Sequence, residues 1–161
     1  MSSRSWTSLE TRPPRPSTID KTVDYSVTTA DGKTIGGDAT TTDDVLITAN
    51  EDAIISVVKD GKTYPYFFGD KLTEEGRYLI TVEDAYGNKN SFTIVIDKTV
   101  NVTINACDGG ITNDSVTISL NEKATIVVTK DGKQYGYTAG EVITEEGFYT
   151  ATITDAYGNS K

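Results

Sequence analysis

Thr73 to Asn88 read TEEGRYLITVEDAYGN, and Thr144 to Asn159 read TEEGFYTATITDAYGN, a return at an offset of 71 residues. The turn residues are repeated almost letter for letter, and the residues between them change selectively. Tyr78, Ile80 and Val82 come back as Tyr149, Ala151 and Ile153, whereas Leu79 comes back as Thr150. Apolar character kept at every second position, with free exchange in between, is the period of a strand buried on one face only.

The same logic extends upstream. Lys59-Asp60-Gly61-Lys62 returns as Lys130-Asp131-Gly132-Lys133 between two alternating runs. Asp-Gly in that setting is a short-hairpin signal, because both central residues take positive φ. Val45, Ile47 and Ala49 align with Val116, Ile118 and Leu120, and Ile55 and Val57 with Ile126 and Val128, so these positions are expected to face a core. Further back, Ile19-Asp20-Lys21-Thr22-Val23 returns as Ile96-Asp97-Lys98-Thr99-Val100 at an offset of 77, which leaves six extra residues in the first copy before Val45. Two like modules of six or seven short antiparallel strands are predicted, a tandem array of β-sandwiches.

After its Asp-Ala-Tyr-Gly-Asn turn the first copy continues into Ser91–Ile96, a strictly alternating strand; the second copy reaches only Ser160-Lys161. The expected division is therefore a tail over 1–18, a first module over 19–97, and a second over 98–161 that lacks its last strand. Both ends read as those of a fragment. The open position has two readings: the chain is cut there, or an incoming strand completes the sheet. Without an equivalent of Phe92, Ile94 and Ile96 the second module should be the less stable one. The tail holds Trp6, three arginines and Pro13, Pro14 and Pro16, and it reads as disordered or vector-derived.

Composition narrows the function. The net charge of −9 disfavours nucleic acid and anionic lipid as partners. Histidine is absent, which removes the usual general base and transition-metal ligand, and Cys107 is the lone cysteine. No apolar run is long enough to insert in a membrane, and no secretory signal is visible.

Glu74-Glu75-Gly76-Arg77-Tyr78 and Glu145-Glu146-Gly147-Phe148-Tyr149 have the acidic-x-Gly-x-Tyr spacing of a tyrosine corner, in which Gly76, Tyr78, Gly147 and Tyr149 form the fold motif. With the Asp-Ala-Tyr-Gly-Asn turn and Ile-Asp-Lys-Thr, the chain over 19–161 resembles the bacterial immunoglobulin-like repeats of surface and secreted proteins, which lack the antibody disulfide. The resemblance implies tandem immunoglobulin-like sandwiches at the cell surface, partnered by neighbouring modules of the same chain and by an unknown protein or glycan. Members commonly have Ala where this chain has Tyr86 and Tyr157.

Candidate sites follow from side-chain chemistry. No cofactor is expected, but Asp84, Asn88, Asp155 and Asn159 could offer oxygen ligands to calcium, and Asp20 and Asp97 are a second calcium position at the module boundary. The competing reading is that Asp and Asn brace their own turns. Tyr64, Tyr66, Tyr135 and Tyr137 alternate along one strand in each copy and could stack on sugar, or pack inward; Tyr86 and Tyr157 should be exposed contact points at turn tips. Paired carboxylates such as Glu74 and Glu75 point apart and suit no glycosidase cleft. The function expected is a non-catalytic extracellular stalk, spacer or adhesion module of a bacterial surface protein. The alternative is an accessory, carbohydrate-binding module of a secreted polysaccharide-degrading enzyme.

Overall fold

A computed structural model of the protein describes residues 19–161, so the expectation for the tail lies outside the described residues. Within them the chain is all-β, with fourteen strands in four sheets and no helix.

The first repeat contains β1 (Tyr25–Thr29), β2 (Ala39–Thr41), β3 (Val45–Ala49), β4 (Ala53–Lys59), β5 (Lys62–Tyr64), β6 (Lys71–Leu72), β7 (Gly76–Asp84) and β8 (Lys89–Ile96). They form two sheets, ordered β1-β3-β6 and β2-β8-β7-β4-β5. This is one strand more than six or seven, and one pairing, β2 with β8, is parallel where antiparallel strands were expected. The extra strand lies in the segment that holds the six additional residues, where the sequence shows no alternating apolar run.

The two sheets share one core. Val27, Val45, Ile47 and Leu72 of the smaller sheet pack with Val57, Tyr78, Ile80, Val82, Phe92, Ile94 and Ile96 of the larger. Each such side chain removed from water contributes about 1.5–3 kcal/mol against the entropy of ordering the chain. Ala49 and Ile55, expected inside, are half-buried at the margin. Ile54, on the opposite face of β4, is exposed. The β4–β5 hairpin turns at Asp60 and Gly61, with φ of 48° and 80°, as the Asp-Gly signal predicts.

The second repeat follows the same plan with two strands fewer. It contains β9 (Val102–Ile104), β10 (Val116–Leu120), β11 (Ala124–Lys130), β12 (Lys133–Tyr135), β13 (Val142–Ile143) and β14 (Tyr149–Asp155), in sheets ordered β13-β10-β9 and β12-β11-β14. Register is preserved: Val27 pairs with Ile47 in the first repeat, and Ile104 pairs with Ile118 in the second. Among the described residues the second repeat has no counterpart of β2 or β8. Buried apolar side chains fall from eleven in the first repeat to Ile118, Val128, Ile143 and Ile153 in the second.

Candidate functional site

The aspartates that the sequence spread over two separate calcium positions meet in pairs, Asp20 with Asp84 and Asp97 with Asp155. Carboxylate oxygens of Asp20, Glu51 and Asp84 lie within 4.8 Å of one another at the start of the first repeat, and those of Asp97, Glu122 and Asp155 do the same where the second begins. Each cluster joins three parts of the fold. Asp20 and Asp97 precede the first strand, Glu51 and Glu122 sit in the β3–β4 and β10–β11 turns, and Asp84 and Asp155 end β7 and β14. Sequence reasoning missed Glu51 and Glu122. The signal was present, since Asn50-Glu51 returns as Asn121-Glu122 at the offset of 71.

Local bonds hold these carboxylates. Asp84 Oδ1 accepts from the N–H groups of Tyr86 (2.8 Å) and Asn88 (2.9 Å), and its Oδ2 from Asn88 Nδ2 (2.6 Å). Asp155 accepts the same three bonds from Tyr157 and Asn159. These are Asx-type turns, and the asparagines act through their amide N–H, which donates and ligates no cation. Glu51 accepts from Asp24 N–H, and Glu122 from Asn101 N–H. Burial pushes the carboxyls of Asp84 and Asp155 up, but the bonds from the asparagine side chains and the turn N–H groups outweigh it and leave both lowered. Asp97 is raised, by burial first and then by the charges of Glu122, Asp155 and Glu75. Three carboxylates per cluster are hard oxygen donors of the kind calcium takes, short of the six to eight a full shell requires.

The second cluster lies in the joint between the repeats, and the joint is tied on both sides. Toward the first repeat, Lys98 Nζ reaches Asp44 Oδ1 (2.6 Å) and the Thr73 carbonyl (2.7 Å), while Glu75 Oε2 accepts from Thr99 Oγ1 at 2.8 Å. Toward the second, Asn159 Nδ2 donates to the Asp97 carbonyl at 3.2 Å, and Asn121 N–H donates to the Asn101 carbonyl at 3.1 Å. At the start of the first repeat, the corresponding Asn50 N–H donates to the Asp24 carbonyl at 3.0 Å.

The tyrosines divide by role. The Tyr78 hydroxyl donates to the Glu74 carbonyl (2.7 Å), and that of Tyr149 to the Glu145 carbonyl (3.0 Å). Burial pushes the Tyr78 phenol up to about 12. Gly76 is required beside it: its φ is +147°, and a Cβ there would lie 2.7 Å from Lys59 Cε and 2.8 Å from Asp60 Oδ2. Lys59 covers the site and pairs with Glu74; Lys130 and Glu145 repeat the pair at 2.7 Å. Tyr64 and Tyr135 pack edge-on against Tyr78 and Tyr149, with ring centroids 5.6 and 5.4 Å apart.

Tyr66 and Tyr137 lie beyond the ends of β5 and β12, so neither shares a strand with its neighbouring tyrosine. The Tyr66 hydroxyl accepts from Ile47 N–H and donates to the Ile47 carbonyl, both at 3.1 Å, which occupies the ladder position past the end of β6. Tyr137 accepts from Ile118 N–H at 2.8 Å in the same way. Tyr86 and Tyr157 are exposed at their turn tips, 79% and 50%. Phe67 and Phe68 are also exposed and were not singled out from sequence; Thr138 and Ala139 replace them in the second repeat, so the repeat pattern gave no cue. Cys107 is an exposed free thiol in the β9–β10 loop.

Two shallow hollows, of about 330 and 210 Å³, lie against the Asp60-Gly61 hairpin and beside Arg77 and Asp38. Neither sets a nucleophile next to a general base. No family model, curated protein or solved structure matches the chain.

Proposed function

We propose that the chain is a pair of immunoglobulin-like modules that serve as a non-catalytic spacer or adhesion segment of an exported bacterial surface protein. The observation that carries this reading is the duplicated joint. Ile19-Asp20-Lys21-Thr22 leads into the first repeat through the same carboxylate cluster that receives Ile96-Asp97-Lys98-Thr99 at the second. An entry built twice from the same three carboxylates suits repeats arranged in series. Polar bonds to the linker from both repeats oppose the free motion that is the default between modules, which suits projection of a distal domain. The strand orders favour the immunoglobulin-like assignment. In immunoglobulin lettering, β1-β3-β6 corresponds to A-B-E, and β2-β8-β7-β4-β5 to A′-G-F-C-C′, with the tyrosine-corner bond at the start of the F strand. The acidic charge, the single cysteine and the Thr-rich outer faces are compatible with an extracellular setting.

The accessory carbohydrate-binding reading retains one supporting observation, the exposed Tyr86 and Tyr157 rings at equivalent turn tips. A glycan array probed with the whole chain separates the two. The spacer reading expects no glycan above background. Selective binding that is lost in Tyr86→Ala and Tyr157→Ala would replace it with the carbohydrate reading.

A further inference from the structure

Asp-Gly occurs four times in the chain, at Asp31-Gly32, Asp60-Gly61, Asp108-Gly109 and Asp131-Gly132. In this dipeptide the glycine amide nitrogen can attack the carboxyl carbon of the preceding side chain, because no Cβ stands beside the nitrogen and the backbone turns freely. All four aspartates are exposed, so access to water does not distinguish them. Their bonds do. Closure of the ring needs the carboxyl to swing over the next peptide nitrogen, and a carboxyl tied to another segment must first be released.

Three of the four are tied. Asp60 donates its N–H to the Arg77 carbonyl at 2.9 Å, and its Oδ1 accepts from Arg77 N–H at 3.0 Å. Asp131 makes the same two bonds with Phe148, at 2.8 and 2.9 Å. Asp31 Oδ1 accepts from Thr29 Oγ1 and from Lys33 N–H, and the Gly32 N–H, on the nitrogen that would attack, donates to the Thr29 carbonyl at 2.9 Å. Asp108 differs. Among the described residues no bond holds its carboxylate, its own N–H or the Gly109 N–H. It lies in the loop between β9 and β10, outside every strand pairing. Its turn is closed by one bond, from Gly110 N–H to the Cys107 carbonyl at 2.9 Å, with Gly109 at a φ of 69°. An exposed turn with a single closing bond opens locally at little cost.

We propose that Asp108-Gly109 is a self-modification site, at which the folded chain closes to a succinimide that reopens as isoaspartate. The Gly109 nitrogen bonds to Asp108 Cγ. Its proton and one carboxylate oxygen, with a second proton from solvent, leave as water. Water then adds to the ring. Attack at Cγ restores aspartate. Attack at the Asp108 backbone carbonyl carbon breaks that carbon's bond to the Gly109 nitrogen, so the main chain runs on through Cβ and Cγ, and the released α-carboxyl ionises and returns the proton. Mass and charge are unchanged, and the backbone is one carbon longer. The β9–β10 loop absorbs that carbon because Asp108 belongs to no ladder. At Asp60 or Asp131 it would break a two-residue hairpin turn. The proposal is independent of the spacer reading.

The test ages the whole chain at neutral pH, below its melting transition, and maps its peptides by mass spectrometry with electron-transfer fragmentation, which separates isoaspartate from aspartate at equal mass. Isoaspartate is expected at Asp108 at least tenfold faster than at Asp31, Asp60 and Asp131, with a transient form lighter by one water in the same peptide. In denaturant the three tied sites should catch up with Asp108. Asp108→Glu, which would have to close a larger ring, should form no isomer at that position and leave the circular dichroism of the chain unchanged. Equal rates at the four sites of the folded chain would overturn the proposal, as would a faster rate at any tied site. So would a difference that persists in denaturant, because the local sequence and not the fold would then set it.

Discussion

The side-chain amide of Asn159 donates to the backbone carbonyl of Asp97, so the last turn of the second repeat grips the residue that leaves the first. The Asp155 turn that aims this amide also belongs to the carboxylate cluster around Asp97. Attachment and charge repulsion therefore converge on one residue, and they can be separated by substitution.

Asp97→Asn keeps an oxygen acceptor for Asn159 and removes one charge from the cluster. The Asp97 carboxyl is raised in the folded chain, so its contribution to stability is complete below the ordinary carboxylate pKa and is lost as pH rises through the raised value. At neutral pH the wild type carries that loss and the variant does not. The variant should melt higher at pH 7, by a few tenths of a kcal/mol, the scale of partly exposed charge pairs. The gain should vanish as pH falls below the ordinary range, which thermal melts across pH 3–7 would show. Asp84 and Asp155 act in the opposite sense, because their lowered carboxyls stabilise above the ordinary value and lose that effect as pH falls through the lowered one.

Tyr78→Phe deletes the bond to the Glu74 carbonyl at a buried site and should cost about 1–3 kcal/mol, read by denaturant unfolding. Tyr149→Phe should cost less, because water reaches the half-buried corresponding site. The raised Tyr78 phenol adds a pH signature. Its stabilising effect is complete below pH 10 and is lost as pH rises toward about 12, so the gap between wild type and Tyr78→Phe should narrow over that window.

Native-state hydrogen exchange should rank the repeats. With eleven buried apolar side chains against four, amides in β4 should be protected at least tenfold more than their partners in β11. Equal protection would mean that the exposed edge of β14 costs the second repeat nothing.

Period-two patterning made the faces of β3, β4 and β7 legible in the sequence, because each repeat is a control on the other: Leu79 could become Thr150, but Tyr78 had to remain Tyr149; β8 was legible from its own strict alternation. Elsewhere the reading failed for separate reasons. β2 was hidden because its counterpart forms no strand, and its register comes from β8 and not from its own sequence. Tyr64 and Tyr66 alternate as a strand would, yet Pro65 separates them and Tyr66 turns back to bond Ile47. The carboxylate clusters escaped because their members lie far apart in the chain and converge only when the sheets fold.

Residual dipolar couplings measured separately for the two repeats test the joint most directly. One shared alignment tensor for residues 25–96 and 102–155 is predicted, with Asn159→Ala and Lys98→Ala together splitting it. Two unrelated tensors in the wild-type chain would show that the bonds around Asp97 and Lys98 do not hold the repeats together.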